Sequence, residues 1–113
     1  MAINGVTVLK CARDIISRHA WVKHKLACDL FGNAVGANNP CAVGFCLMGA
    51  IQKAGHNMGV SFRCKKAAIN TVYYVSRQLG FKDISKYNDH PSRIKQEVLD
   101  FFDKCIVYAR GKR

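Results

Sequence analysis

The stretch GFCLMGAIQKAG, residues 44–55, is central to the fold because it places small residues along one side of an apolar segment. If residues 41–54 form a helix, positions three and four apart lie on the same side. That stripe comprises Ala42, Phe45, Cys46, Gly49, Ala50 and Lys53. A glycine inside a helix costs about 1 kcal/mol relative to alanine, so Gly49 predicts that another helix or a loop packs closely against this face.

Amphipathic patterns elsewhere in the chain predict an all-α fold. Apolar residues recur at intervals of three and four, and strand-like alternation is almost absent. The predicted helices are residues 6–20, 41–54, 64–79 and 91–108. A length of 113 residues suits one hydrophobic core, so we expect residues 1–113 to form a single domain, a compact bundle of about four helices. The basic residues 109–113 are expected to be a frayed tail.

The segment FKDISKYNDHPS, residues 81–92, joins the last two predicted helices. Asp89 stands before His90 and a proline, a pattern typical of a helix N-cap whose carboxylate accepts hydrogen bonds from first-turn amides. Alternatively, Asn88, Asp89 and His90 line a pocket opposite the small-residue face of residues 42–50. The sequence leaves both interpretations open.

The charge of the chain is strongly positive, since 18 Lys and Arg against 7 Asp and Glu give a formal net charge of +11. Residues 30–82 contain no acidic residue at all. Basic residues interleaved with aromatic ones can bind a phosphate backbone and stack on bases, which predicts a nucleic-acid partner. The predicted binding face comprises Arg63, Lys65, Lys66, Tyr74, Arg77, Lys82 and Lys86. A generally solubilising positive surface is the alternative.

Six cysteines in a short chain raise the question of disulfides or metal binding. The N-terminal residues lack the pattern of a signal peptide, and no apolar run approaches the ~18 residues of a membrane span. We therefore predict a protein of the bacterial host cytoplasm with reduced thiols. Cys41 and Cys46 do not have the paired spacing of zinc ligands. We expect no metal, no cofactor and no membrane association.

Five short motifs, in this order, resemble an uncharacterised family of small bacterial and phage proteins. They are Trp21, ACDLFGNAV at 27–35, FCLMGAIQKA at 45–54, YND at 87–89 and EVLDFFDKCI at 97–106. The family shows a Cys-x-x-Gly-Ala helix and an aromatic-Asn-Asp turn, in which most members have Trp where this chain has Tyr87. The likeness spans about residues 21–109. Together with the short basic chain it indicates a phage origin, with a bacterial genomic origin as the alternative. It implies no activity, because the family has none assigned.

Two functions follow from these patterns. The first is a phage-encoded accessory protein that binds nucleic acid or a host nucleoprotein complex, for example an inhibitor of host defence such as an anti-CRISPR protein. The second is a small enzyme or ligand-binding protein, because Cys, His and Asn together are the makeup of an activated thiol. Its predicted pocket comprises Trp21, Cys46, Tyr87, Asn88, Asp89 and His90. The sequence favours binding over catalysis and identifies no catalytic residue.

Overall fold

Five helices and a small four-stranded sheet make up residues 5–111, the part of the chain that the computed structural model describes. The helices are α1 Gly5–Arg18, α2 Leu47–Met58, α3 Phe62–Gln78, α4 Ile84–Asn88 and α5 Lys95–Gly111. The strands are β1 Ala20–Trp21, β2 Ala27–Cys28, β3 Ala34–Val35 and β4 Gly44–Phe45. The prediction of a compact, mainly helical fold is confirmed, whereas the prediction of an all-α fold is wrong because of the sheet.

Helix α1 lies at the centre of the helix packing, in contact with α2, α3 and α5. Its apolar positions follow the predicted spacing. The buried ones are Val8, Leu9, Ala12, Ile15 and Ile16. The same core contains Ile51 of α2, Val72 of α3 and Phe102 of α5, all of which are fully buried. The predicted span of residues 6–20 is nearly correct, but the helix ends at Arg18 because β1 follows.

The sheet has the strand order β1-β4-β2-β3. Strand β1 runs parallel to β4, with Ala20 opposite Gly44, and β2 runs antiparallel to β4, with Cys28 opposite Gly44. Strands β2 and β3 form an antiparallel hairpin. Each strand is only 2 residues long. None therefore contains enough alternation of apolar and polar residues to be recognised in a sequence.

Helix α2 spans Leu47–Met58 instead of the predicted residues 41–54. Its N-cap is Cys46, which has an extended backbone (φ −83°, ψ 176°) and whose thiol accepts a hydrogen bond from the Gly49 amide at 3.2 Å. Because the helix begins only after Cys46, Gly44 and Phe45 form strand β4 instead of part of the predicted helix. At the other end Gly59 adopts the left-handed conformation, with φ 60°, that commonly terminates a helix.

Helix α3 agrees closely with the predicted residues 64–79. The hydroxyl of Ser61 caps its N-terminus by accepting a hydrogen bond from the Cys64 amide at 3.4 Å. Beyond its C-terminus Gly80 has a φ of 92°, which L side chains rarely adopt. The glycine therefore ends this helix as predicted.

Helix α4 is missing from the predicted helices, and it changes the role of Asp89. The Asp83 carboxylate caps α4 by accepting a hydrogen bond from the Lys86 amide at 2.8 Å. Asp89 is the C-cap of α4 rather than the N-cap of the last helix. Helix α5 accordingly begins at Lys95 and not at residue 91.

The C-terminal part of the chain is helical as far as Gly111, so residues 109–111 of the predicted frayed tail belong to α5. Residues 112–113 of that tail, and residues 1–4 of the predicted domain, lie outside the described residues. No helix within residues 5–111 has the length and apolar character needed to cross a membrane.

Candidate functional site

The small-residue face of α2 is packed against a loop, as predicted. A Cβ atom added at Gly49 would overlap the backbone carbonyl oxygen of Leu26, in the loop between β1 and β2. The same carbonyl accepts a hydrogen bond from the Cys46 amide at 3.0 Å. Gly49 therefore lets this loop approach the first turn of α2 closely.

Asn88 joins this loop region, α2 and α4 through its side chain, in an arrangement that we call the Asn88 junction. Its Oδ1 accepts hydrogen bonds from the Trp21 indole Nε1 at 2.8 Å and from the Leu47 amide at 3.1 Å. Its Nδ2 donates to the Val22 carbonyl at 3.1 Å and to the Asp89 carboxylate at 2.9 Å. With only 2% of its surface exposed, Asn88 uses all of its hydrogen-bonding capacity within the protein.

A cleft of about 390 Å³ lies beside the junction, at the N-terminus of α2. Cys46, Asn88 and Asp89 line it, as the sequence predicts for a pocket. The loop between β1 and β2 contributes His24 and two further residues, and α4 contributes two residues besides Asn88. Three of the six predicted pocket residues therefore share one cleft.

The other three predicted pocket residues lie elsewhere. The Tyr87 ring stacks on Phe101 at 4.3 Å between centroids and belongs to the core. Trp21 reaches the junction only through its indole nitrogen. His90 lines a neighbouring groove, and its Nδ1 accepts a hydrogen bond from the Ser92 amide at 3.2 Å. The histidine of the cleft is His24 instead.

His24 is held in the cleft by Asp89. The His24 amide donates a hydrogen bond to the Asp89 carboxylate at 3.0 Å, and its ring Nδ1 lies 3.6 Å from the other carboxylate oxygen. His24 has a φ of 66°, a left-handed conformation that no other non-glycine residue within residues 5–111 adopts. The amide bond to Asp89 helps to hold this uncommon backbone.

The Cys46 thiol lacks the surroundings of an activated nucleophile. Only 8% of its surface is exposed, and the sulfur already accepts the Gly49 hydrogen bond. Burial raises the pKa of the Cys46 thiol above its ordinary value, and the negative charge of Asp89 adds to the rise. At neutral pH the sulfur is therefore a protonated thiol rather than a thiolate.

A second candidate region lies along the exposed side of α3. Residues spaced by three and four positions form a single row there, which we call the α3 stripe. It comprises Arg63, Lys66, Asn70, Tyr73 and Arg77, all of them exposed. The row extends over about 21 Å of helix, because a helix rises 1.5 Å per residue.

Aromatic rings lie beside the cations of this row. The Arg77 guanidinium is 5.6 Å from the centre of the Tyr73 ring, and its Nη1 donates to the Tyr73 hydroxyl at 3.2 Å. The Lys66 ammonium is 6.0 Å from the centre of the Phe62 ring, which is exposed. Among the described residues, no carboxylate forms an ion pair with a cation of the α3 stripe.

The remaining residues of the predicted basic face are spread around the stripe. The aliphatic part of Lys65 lies against Gly55 of α2, and the Tyr74 ring stacks on Tyr108 of α5 at 4.7 Å. Both therefore lie on flanks of α3. Lys82 and Lys86 line the groove of about 590 Å³ that also contains His90. The Arg77 Nη1 donates to the Lys82 carbonyl at 3.2 Å, which connects the end of the stripe to this groove.

Two features close to the candidate regions were not predicted from the sequence. One is His24, whose place in the cleft depends on a contact with Asp89, 65 positions away along the chain. The other is the β2–β3 hairpin. Its signal was present, because the turn residues Asp29, Gly32 and Asn33 lie between the apolar pairs of two short strands.

The six cysteines are free thiols. Within residues 5–111, no three side chains of His, Cys, Asp or Glu come together as ligands of one metal ion.

Comparison with protein-family models identifies the family of the chain. The model described as a family of unknown function (DUF6197) matches residues 4–108, so the chain belongs to this family. The resemblance to an uncharacterised family without an assigned activity is thereby confirmed. No curated protein and no solved structure matches the chain. Phage origin, cytoplasmic location and inhibition of host defence stay predictions.

Proposed function

We propose that this DUF6197 member is a binding protein whose α3 stripe contacts the phosphate backbone of nucleic acid, either free or within a nucleoprotein complex. The observation that carries the proposal is the row of exposed cations beside aromatic rings on one helix face. Cations in such a row neutralise successive phosphates, and adjacent rings stack on bases.

The charges around the stripe support this proposal. No acidic residue occurs in residues 30–82, so none interrupts α3 or the segments on either side of it. The first carboxylate after the helix is that of Asp83, which is engaged as the N-cap of α4. The field along α3 therefore attracts a polyanion over its whole length.

Charge reversal tests the proposal. The variant Arg63→Glu, Lys66→Glu, Arg77→Glu should bind labelled oligonucleotides far more weakly than the wild type in fluorescence anisotropy. Its free energy of unfolding should change by about 1 kcal/mol or less, because exposed charges contribute little to stability. A matched control, Lys10→Glu, Lys104→Glu, Arg110→Glu, makes the same charge change at exposed residues of α1 and α5.

The salt dependence separates phosphate contacts from a general effect of net charge. The stripe variant should lower the slope of log affinity against log salt by about 2 for single-stranded DNA, because three phosphate contacts are lost. The control variant should keep a slope near the wild-type value. Equal losses in the two variants would contradict a specific role for α3, and a wild type without any salt-sensitive binding would contradict the proposed function.

The cleft favours a second candidate, binding of a small ligand, because Cys46, His24 and Asp89 surround one space of about 390 Å³. Thiol catalysis there is opposed by the burial and raised pKa of Cys46. Binding by α3 is therefore the better supported function.

A further inference from the structure

The turn of the β2–β3 hairpin exposes two large apolar side chains side by side. Leu30 is 80% and Phe31 is 85% exposed, the largest exposures among the described large hydrophobic residues. Single exposed apolar residues are common on protein surfaces. An adjacent leucine and phenylalanine at the end of a hairpin form instead a compact apolar projection, which we call the hairpin tip.

The hairpin tip is held in place by hydrogen bonds rather than by packing. One oxygen of the Asp29 carboxylate accepts from the amides of Phe31 and Asn33, each at 2.9 Å. The Asn33 side chain donates to the other oxygen at 3.3 Å. Backbone bonds between Asp29 and Asn33, and between Gly32 and Asp29, are both 3.0 Å long. The apolar side chains are therefore presented by an ordered turn, which reduces the entropy lost when a partner binds.

A series of adjoining depressions, each lined by at least one lysine, connects the hairpin tip with the α3 stripe. Arg77 and Lys82 line one depression, and Lys82, Lys86 and His24 line the next. His24 and Lys25 line the cleft that follows, and the Lys25 ammonium donates to the Gly32 carbonyl of the tip at 2.9 Å. The path thus runs from the end of α3 to the base of the tip.

The carboxylates along this path are engaged within the protein. Asp83 caps α4, Asp89 accepts from the His24 amide, and Asp29 accepts from the amides of its own turn. Hydrogen bonds from those amides, first that of Asn33, lower the pKa of the Asp29 carboxyl, so it stays ionised at neutral pH. Asp83 and Asp89 line the same depressions as the lysines, but the four cations Arg77, Lys82, Lys86 and Lys25 outnumber the three carboxylates of the path. Each depression therefore offers a lysine to a phosphate.

We propose that the hairpin tip stacks on the bases of a single-stranded nucleic acid whose phosphate backbone contacts the lysines along the path from α3. This inference rests on the proposed function. An exposed aromatic ring at the end of a basic groove is the arrangement by which proteins bind single strands, because every base offers a face for stacking. In a duplex the same bases are already stacked and paired, so the tip has no free face to contact.

The experiment compares single-stranded and duplex DNA of the same length. The variant Leu30→Ser, Phe31→Ser should bind a single-stranded oligonucleotide about tenfold more weakly than the wild type, since one base-stacking contact is lost. The slope of log affinity against log salt should not change, because no phosphate contact is removed. The variant Phe31→Trp should retain wild-type affinity, and Val107→Ser, at a residue of α5 that is 70% exposed, is the matched control.

The results distinguish this inference from the proposed function. If the wild type binds with salt-sensitive affinity and the tip variant binds equally well, the inference is overturned and the function stands. An equal loss of affinity for duplex and single strand overturns the assignment to single strands. If the tip variant instead loses binding only to phosphatidylserine vesicles, the hairpin tip is a membrane contact. A wild type that binds no oligonucleotide removes the proposed function and this inference together.

Discussion

The Asn88 junction and the α3 stripe differ in how far their polar groups are buried and paired. In the junction, one buried amide satisfies an indole, a helix N-terminus, a loop carbonyl and a carboxylate. In the stripe, exposed cations lie beside aromatic rings without a carboxylate paired to them among the described residues. Buried polar groups with full partners stabilise one conformation, whereas exposed charges contribute little to folding. The comparison therefore assigns stability to the first region and leaves the second available for the binding proposed above.

The largest expected effect is that of adding a methyl group at Gly49. Gly49→Ala should lower the free energy of unfolding by about 3 kcal/mol, because the new Cβ would force the Leu26 carbonyl away from the first turn of α2. This is a net loss, because it already includes the ~1 kcal/mol by which alanine is favoured over glycine in a helix. Thermal unfolding should show a melting temperature lower by roughly 10 °C.

The matched control is Gly55→Ala in the same helix. There the added Cβ would meet the flexible side chain of Lys65, which can move aside. The control should therefore melt at or above the wild-type temperature, since the gain in helix propensity remains. Equal melting temperatures for the two variants would show that the loop between β1 and β2 does not press against α2. Close packing could then no longer be counted among the features that distinguish the first region from the α3 stripe.

The next largest effect concerns the junction itself. Asn88→Leu should cost about 2 kcal/mol, because the Leu47 amide and the Val22 carbonyl lose their bonds to the side chain of residue 88. Asn70→Leu is the control, since it makes the same substitution in the α3 stripe at an exposed position. Chemical denaturation of the two variants measures the difference directly.

Each outcome of that pair informs the comparison. The expected result is a large loss of stability for Asn88→Leu and almost none for Asn70→Leu, with oligonucleotide binding of the folded protein retained in Asn88→Leu. If Asn88→Leu were as stable as the wild type, the junction would not be a structural element, and its hydrogen bonds would have to serve a ligand in the cleft.

Sequence patterns predicted those helices whose amphipathic spacing and end residues can be recognised within the helix itself. Helices α1 and α3 have long amphipathic faces, and a glycine follows the end of α3, so their bounds were nearly correct. Gly49 predicted that another segment packs closely against α2, because a glycine destabilises a helix interior unless the missing side chain makes room for a neighbour. Strands of 2 residues and a helix of 5 residues have too few positions to show any period, so the sheet and α4 were missed.

The candidate site was only partly predictable for a different reason. The sequence could name Cys46, Asn88 and Asp89, since unusual residue types in short motifs are visible locally. It could not show that Asp89 pairs with His24 rather than acting with His90, because that choice depends on how the loop after β1 folds back onto α4. The cap prediction for Asp89 failed similarly, since α4 ends where the last helix was expected to begin.

The smallest expected effect is that of Cys46→Ser. Serine is a favoured N-cap, and its hydroxyl can accept the Gly49 hydrogen bond, so stability should change by about 0.5 kcal/mol or less. Cys46→Ala removes the cap and should cost about 1 kcal/mol. Neither variant should weaken oligonucleotide binding, because Cys46 lies in the cleft and not on the α3 stripe.

Alkylation of the wild type by iodoacetamide examines the same thiol chemically. Burial raises the pKa of Cys46, so at pH 7.5 very little thiolate is present, and each unit of pH below that pKa should cost about tenfold in rate. The exposed Cys41 should therefore react first, and peptide mapping by mass spectrometry identifies which residue is modified. If Cys46 reacted fastest at neutral pH and Cys46→Ser abolished an activity that the charge-reversed α3 variant kept, the cleft would be the functional site. A buried thiol becomes reactive only where the surrounding protein stabilises its anion. Such a result would therefore place the function in the cleft and leave the α3 stripe as a solvated surface.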